Sequence, residues 1–236
     1  MFNDELTLRK ETLSWHNNKE QLRILHLSDL HLKWTGRHVK AIENYISGLI
    51  PDIIVLTGDY YDTPRGGRLF CEFVERISQK SPVYWIRGNH DGWFGLTYIN
   101  RLHHLKNTYC VDDYPCAFTS SAGFHYQIVS WAQHTAATEH ILRDNERRIV
   151  LLHNPEDIIA SRLEGCDLVL TGHLHGGQFV LHVCQDRSFF PGNILYRWCC
   201  DRREVGASTV IVSRGIGDTL PLRFRCPKEV VCLQIR

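Results

Sequence analysis

Two histidines stand one residue apart in the glycine-framed stretch TGHLHGGQ (171–178). In an extended backbone, residues i and i+2 point to the same side, so the imidazoles of His173 and His175 can face one point. The same spacing separates Asp29 from His31 in SDLHL. The glycines let the backbone bend sharply and approach another group closely. The pattern indicates metal ligands, and a surface turn that happens to carry two histidines is the alternative.

Other polar clusters also follow apolar runs directly. They are Asp59 in TGDYYD, the Asn89-His90-Asp91 series in GNHD, and His153 at the end of RIVLLH. Each residue alone has a structural explanation as a helix cap, a turn residue or a packed histidine. Because ligand sites in open α/β sheets lie beyond the carboxyl ends of the strands, we expect all these side chains to meet in one place.

Strand-like and helix-like segments alternate along the chain in a way that predicts an α/β domain. Apolar runs typical of strands buried on both faces cover 22–27, 52–57, 82–87, 148–153 and 167–171. Helical spacing covers 37–50 and 67–80, and Pro155 opens a third predicted helix over 155–163. In the last sixty residues the runs QFVLHV, STVIVS and EVVCLQI predict a second sheet that completes a sandwich.

The mixture of carboxylate, imidazole and amide oxygen suits divalent manganese, iron or zinc. Magnesium or calcium would favour oxygen ligands alone, and a structural zinc site would favour thiolates. The candidate ligands are too many for one tetrahedral ion and fit two ions that share a carboxylate. Two ions about 3.5–4 Å apart are a known arrangement for displacement at phosphorus.

The motifs SDLHL, TGDYYD, RGNHD, LLHNPE and TGHLHGGQ, in that order, resemble those of the calcineurin-like metallophosphoesterases. The similarity to a bacterial phosphodiesterase-like branch continues to SRGIGDTLPLRFRCPKEV, near the end of the chain. The resemblance implies a single metallophosphoesterase domain over residues 1–236. It also implies a four-layer α/β/β/α sandwich of two mixed sheets, with two metals at its rim.

The resemblance also assigns roles to individual residues. One metal site would be formed by Asp29, His31 and His175. The other would be formed by Asn89, His153 and His173, with Asp59 bridging both ions. His90 would lie beside the phosphate rather than on a metal, and Asp91 would orient it.

Such a site predicts phosphoester hydrolysis. Two cations would lower the pKa of a bound water toward neutrality, and the resulting hydroxide would attack phosphorus in line. His90 would donate a proton to the leaving oxygen. We expect a phosphodiester or pyrophosphate substrate, either lipid-linked or a nucleotide. The segment 129–142 departs most from the family pattern, and Trp131 and His134 within it are where substrate contacts are expected to vary.

Two other functions remain open on the same fold, a nuclease and a non-catalytic metal-binding scaffold. The formal net charge of +1 weakens the first, because nucleases usually carry basic or aromatic surface along a strand. The complete ligand set weakens the second. No apolar run is long enough to span a bilayer, and the first twenty residues lack a signal-peptide pattern. We therefore expect a cytoplasmic protein with its nine cysteines reduced.

Two aromatic pairs follow the ligand motifs, namely Trp93-Phe94 and Phe189-Phe190. One interpretation places them in the core. The other exposes them as an apolar rim beside the phosphate site, which would suit a lipid-linked substrate and peripheral contact with a membrane.

Overall fold

The computed structural model describes residues 5–15, 21–93, 96–137, 146–218 and 222–236. Its strands are three to eight residues long. In chain order they are Leu6–Leu13 (β1), Leu22–Leu27 (β2), Ile53–Leu56 (β3), Val83–Trp85 (β4), Thr108–Cys110 (β5), Cys116–Thr119 (β6), His125–Ser130 (β7), Glu146–Leu151 (β8), Leu168–Thr171 (β9), Val180–Val183 (β10), Phe189–Pro191 (β11), Arg202–Val205 (β12), Ser208–Val212 (β13) and Lys228–Ile235 (β14). The α-helices are Val39–Leu49 (α1), Pro64–Ser78 (α2), Thr97–Leu102 (α3), Trp131–Ala136 (α4) and Gly192–Leu195 (α5).

The strands form two six-stranded mixed sheets and a separate hairpin. The first sheet has the order β1-β14-β2-β3-β4-β5, and β2 to β5 run parallel. The second has the order β12-β13-β9-β8-β7-β6, with a parallel centre from β13 to β7. In the first sheet β14 pairs antiparallel with β2 and parallel with the edge strand β1, and antiparallel pairs form both edges of the second sheet. The predicted α/β class with two mixed sheets is confirmed.

Three apolar clusters separate four layers. Alternate residues of β2 face opposite sides, so Ile24 packs between the two sheets while Leu25 packs under α1 and α2. Both are fully buried. A third cluster lies on the outer face of the second sheet, where Ile158 and Trp198 cover it. This fourth layer consists of the hairpin, short helices and turns rather than long helices.

The prediction for residues 155–163 was wrong, because no α-helix forms there. The segment makes two 3-10 turns, Pro155–Asp157 and Ala160–Arg162. Between them Ile158 and Ile159 take extended backbone angles, and Ile158 is buried in the third cluster. Two adjacent β-branched residues favour this break.

The C-terminal runs do not all join the second sheet as predicted. Only STVIVS does, as β13. The run QFVLHV supplies β10, which pairs with β11 in a hairpin outside both sheets. The run EVVCLQI lies in β14, between β1 and β2 of the first sheet. Its side chains are buried on both faces, with Val230 toward the helices and Val231 toward the other sheet, as expected of a central strand.

No helix within the described ranges is both long and apolar enough to cross a membrane. The parallel strands of the two sheets end on loops that carry the chemical side chains. Strands β2, β3 and β4 lead into residues 28–31, 57–62 and 87–91, and β8 and β9 lead into residues 152–154 and 172–178.

Candidate metal centre

The predicted ligands form two clusters where the strand-end loops of the two sheets meet. Asp29, His31 and His175 form the first, and Asp59, His153 and His173 form the second. Within each cluster one ligand atom from every residue lies within 4.8 Å of the others. Each cluster therefore combines residues from both sheets, and His173 and His175 serve different clusters.

The second cluster also includes Asn89. Its side-chain oxygen lies 2.9 Å from Nε2 of His153. The same Nε2 is 3.1 Å from Nδ1 of His173 and 3.3 Å from Oδ2 of Asp59. Two imidazole nitrogens, an amide oxygen and a carboxylate oxygen thus converge on one small volume.

Asp59 lies between the clusters. Its Oδ2 is 3.3 Å from Nε2 of His153 in the second cluster and 3.8 Å from Nε2 of His31 in the first. Its other carboxylate oxygen accepts a hydrogen bond from the backbone amide of His90 at 2.8 Å. The carboxylate is therefore held in place and touches both clusters.

The loops reach this arrangement through left-handed backbone rather than through extended strand. Half of the ten non-glycine residues with positive φ in the described chain are candidate ligands, namely Asp29, His31, Asp59, His173 and His175. Such angles are uncommon outside glycine and cluster at functional sites. The expected extended i, i+2 geometry was therefore wrong for both pairs. Asp29 and His31 still meet in one cluster, whereas His173 and His175 lie in different clusters.

Glycine is required where two loops meet at the first cluster. A Cβ on Gly172 would collide with the side chains of Ser28 and Asp29. Gly176 and Gly177 lie against the sulfurs of Cys226 and Cys199, respectively. Their role is thus to seat the loop of His175 on the third apolar cluster.

In two of the candidate ligand histidines, an oxygen atom accepts a hydrogen bond from Nδ1. This bond directs Nε2 into the site. His153 donates from Nδ1 to the carbonyl oxygen of Thr57 at 2.7 Å, and His31 donates from Nδ1 to Asp62 at 2.9 Å. Nε2 of His31 is buried and has no hydrogen-bond partner in the described part of the chain. This is the arrangement that orients a histidine for metal binding.

The charges are consistent with a site built for cations. Asp29 is fully buried, and although burial opposes its charge, His175, His153 and His31 lower its pKa to about 2. Burial also acts to lower the pKa of His153, but Asp59 and Asp29 raise it to about 9. In this structure the positive charge that stabilises the buried carboxylates comes from nearby imidazoles. Bound cations would supply that charge directly.

His175 differs from the other candidate ligand histidines because an arginine side chain lies beside its ring. Its Nδ1 is 3.1 Å from Nη2 of Arg223 and 3.8 Å from Asp218. Burial, together with His31 and Arg223, lowers the pKa of His175 to about 4, against the opposing effect of Asp29. The imidazole is therefore neutral, which is the form that binds metals.

His90 lies beside the two clusters. It lines a cavity of about 310 Å³ together with His31, Asp59 and His175. Its ring is stacked on Trp93, with centroids 3.6 Å apart. Its Nδ1 is 3.0 Å from Oδ1 of Asp62, the same oxygen that binds His31.

The residue that orients His90 is thus Asp62 and not Asp91. The carboxylate of Asp91 accepts hydrogen bonds from the backbone amides of Asp59, Tyr60 and Gly88, at 2.9, 2.8 and 2.7 Å. It ties together the two loops that carry Asp59 and His90. Sequence reasoning missed Asp62, although it ends the motif GDYYD directly before α2.

Asp91→Ala is expected to lower the free energy of unfolding by about 3 kcal/mol or more, because each of three amides in a buried region loses its acceptor at a cost of about 1–3 kcal/mol. Urea unfolding of the metal-free protein measures the change. Glu72→Ala, at an exposed position of α2, is the matched control and should change stability by no more than about 0.5 kcal/mol. Equal stability of the two variants would contradict this role of Asp91.

The predicted aromatic rim is only partly present. Trp93 is 63% exposed, but Phe189 is 1% exposed and belongs to the third apolar cluster. Phe190 is half-buried and stacks on His182. Phe94 lies outside the described residues. Phe189 therefore follows the core interpretation, whereas Trp93 follows the rim interpretation.

The known proteins that are similar to this chain point to one family. The family model described as calcineurin-like phosphoesterase matches residues 22–177, a range that contains every candidate ligand. An uncharacterized metallophosphoesterase of Campylobacter jejuni is 28% identical, over 93% of this chain and 60% of the relative. Phosphodiesterase YaeI of Escherichia coli is 27% identical, over 97% of this chain and 87% of the relative. This chain thus spans about 60% of the length of the first relative.

Solved structures share the fold. TT1561 of Thermus thermophilus superposes with a TM-score of 0.53 at 13% identity, covering 84% of this chain and 91% of that one. A dimetal phosphatase from Danio rerio superposes with a TM-score of 0.51 at 12% identity, covering 85% and 89%. At these identities the likeness is one of fold.

Proposed function

We propose that this chain, which belongs to the calcineurin-like phosphoesterase family and is a metal-dependent phosphoester hydrolase, cleaves a phosphodiester or pyrophosphate bond with two divalent cations. The observation that carries the proposal is the pair of ligand clusters joined by Asp59. The E. coli relative named as a phosphodiesterase supports a diester over a monoester. Ligands from both sheets enter each cluster, so we propose that residues 1–236 work as one domain.

The ligand assignment follows the two clusters. In this proposal Asp29, His31 and His175 hold one ion. Asn89, His153 and His173 hold the other, and Asp59 holds both. The mixed nitrogen and oxygen donors favour manganese, iron or zinc. When bound, the cations supply positive charge that lowers the pKa of water and neutralises the phosphoryl oxygens.

The chain supplies the proton chemistry through His90. A histidine beside the phosphoryl group can donate a proton to the leaving oxygen. Asp62 accepts from Nδ1 of His90, which fixes the ring and leaves Nε2 as the atom that meets the substrate. Trp93 covers the ring face and limits its rotation.

A chromogenic assay tests this function. Purified protein, stripped and then reloaded separately with Mn²⁺, Fe²⁺ or Zn²⁺, is assayed with bis-(p-nitrophenyl) phosphate, with p-nitrophenyl phosphate and with single-stranded DNA. We expect metal-dependent turnover that favours the diester. Faster cleavage of DNA would identify a nuclease, and a protein that binds metals and hydrolyses none of the three would be a scaffold.

We further propose that the protein works at a membrane surface through the apolar segment, defined here as residues 179–196. Leu181, Ile194 and Leu195 in it are exposed, Leu195 by 78%. Tyr196, at its end, lines the same cavity as His90. Residues 178–197 contain one acidic side chain and two arginines, and exposed Arg225 donates to the carbonyl oxygen of Leu181 at 2.8 Å. Apolar side chains flanked by cations suit an anionic lipid surface.

The double variant Ile194→Ser, Leu195→Ser is expected to lose co-sedimentation with anionic phospholipid vesicles, because it removes the two most exposed apolar side chains of the segment. Hydrolysis of the soluble diester should not change. Ile50→Ser is the matched control, since Ile50 is 75% exposed and lies at the end of α1. Absence of vesicle binding by the wild type, or equal loss in the control, would contradict the proposed contact.

A further inference from the structure

A second cavity, of about 400 Å³, opens beside the second cluster, and the proposed reaction does not use it. Asn89, His153 and His173 form part of its lining. These are the residues assigned above to one cation. A group that occupies this cavity would therefore lie next to the proposed cation, where it can be part of the substrate.

The walls of the cavity are apolar. They include Ile86, Leu151 and Leu152, with the indole of Trp131 beside them. Trp131 is half-buried, so one part of the ring remains accessible. An aromatic wall next to aliphatic side chains suits a flat ring, which gains both burial and stacking.

The helix that carries the indole is held in place before any ligand arrives, and Trp131 packs against the third apolar cluster. Trp131 begins α4, which is fixed by a capping box between Ser130 and Gln133. The side chain of Gln133 also donates to the carbonyl oxygen of Val111 at 2.8 Å. His134 bonds through Nε2 to the carbonyl oxygen of Arg162 at 2.8 Å. Little ordering cost remains for a ring that stacks here.

The charges of the cavity favour an uncharged group over a second phosphate. Arg87 is the one arginine or lysine among the lining residues, and its Nη1 lies 3.1 Å from Asp113 and 3.5 Å from Asp112. Asp112 and Asp157 also line the cavity. The lining side chains outside the proposed cation site therefore add no net positive charge that would hold a second anion.

We propose that this cavity binds a planar, uncharged ring carried by the ester group that stays on phosphorus. His90, which meets the leaving oxygen, does not line the cavity, so the two ester groups lie on different sides. The ring can come from an aryl ester or from a nucleobase. The inference rests on the proposed phosphodiesterase function and adds the substrate class.

Three diesters that share one leaving group and differ in the group that stays on phosphorus test the inference. The p-nitrophenyl esters of methyl phosphate, phenyl phosphate and thymidine 5′-phosphate all release p-nitrophenol. For the wild type we expect kcat/KM for the phenyl or thymidine ester to exceed that for the methyl ester about tenfold or more, the size of one stacking interaction. Preference for phenyl alone would identify an aryl group, and preference for both would admit a nucleobase.

Trp131→Ala should reduce the ratio of kcat/KM for the phenyl or thymidine ester to that for the methyl ester to about twofold or less, with the metal content unchanged. Trp131→Phe should keep most of the preference, because it keeps a ring. If Trp131→Ala does not fold, Trp131→Leu gives the same comparison. Tyr114→Ala removes an exposed aromatic residue outside the cavity and is the control.

The outcomes separate the inference from the function on which it rests. Equal kcat/KM for all three esters in the wild type would overturn the ring-binding cavity alone. An unchanged preference in Trp131→Ala would also overturn it. No turnover of any ester by metal-loaded protein would overturn the proposed function, and the inference with it.

Discussion

Asp59→Ala is expected to abolish phosphodiester hydrolysis and to reduce the metal content at both sites. Its carboxylate oxygen lies within 3.8 Å of ring nitrogens from both clusters, so its loss affects two sites at once. Loss of a residue that only supports a ligand typically costs about 10–100-fold in metal affinity or activity. A shared ligand should cost more, and we expect a fall in activity of more than about 100-fold.

Asp59→Asn separates the charge from the structural role of Asp59. The amide oxygen can still accept from the backbone amide of His90, which Asp59 binds at 2.8 Å. We therefore expect Asp59→Asn to fold like the wild type and to bind metal poorly. Asp113→Ala, at an exposed carboxylate outside the clusters, is the control. An Asp59→Ala protein that keeps two metals per chain and normal turnover would contradict the assignment.

His90→Ala is expected to lower kcat by about 10²–10⁴-fold and to leave the metal content unchanged, since general acid–base catalysis contributes about that much. His90 lies outside both proposed ligand sets, but it forms a third group with His31 and Asp62, whose ligand atoms lie within 4.8 Å of one another. The loss should be smaller for esters with good leaving groups, because these need little protonation. Comparing p-nitrophenyl and alkyl leaving groups, with metal analysis of the same samples, measures both effects.

The variant Asp62→Asn tests the role of His90 independently. It weakens the hydrogen bond that fixes the ring without removing the ring, so the fall in kcat should be smaller than in His90→Ala. Because Asp62 also binds His31, a moderate decrease in metal affinity is expected as well. Loss of a metal ion in His90→Ala itself would show that His90 is a ligand and would shift the whole assignment.

Much of the fold was predictable because the strands are buried on both faces. Runs such as 22–27 and 167–171 are mostly apolar, and they form β2 and β9 with the same or nearly the same bounds. Helices α1 and α2 followed from their spacing of apolar residues. The two-sheet architecture came from the resemblance carried by the motifs, and strand order was not available from local pattern. The position of β14 shows this, since its sequence fits either sheet.

That the site residues meet in one place was predictable, because each of them follows a strand end. The backbone conformation that brings them together was not predictable. A left-handed backbone at His173 or Asp29 leaves no clear signature in the sequence, because it is stabilised by contacts with other loops. The role of Asp91 was missed for a related reason. Its acceptor contacts are to backbone amides from two separate loops, and backbone partners cannot be identified from side-chain patterns.

The hairpin and the loop of His175 show how packing outside the site shapes it. The turn at 175–177 lies against α5 and β11, and Gly177 packs directly on Cys199. A change in the hairpin therefore affects the position of His175 as well as the exposed apolar segment. This is why the membrane variants change only side chains that point into solvent.

Anomalous diffraction from crystals of the metal-loaded protein, soaked with phosphate, tests the central claim most directly. The proposal predicts two anomalous peaks about 3.5–4 Å apart, one ligated by Asp29, His31 and His175 and the other by Asn89, His153 and His173. Asp59 should contact both, and phosphate should lie beside His90. A single peak, or a peak held by His31, Asp62 and His90, would contradict the dinuclear assignment.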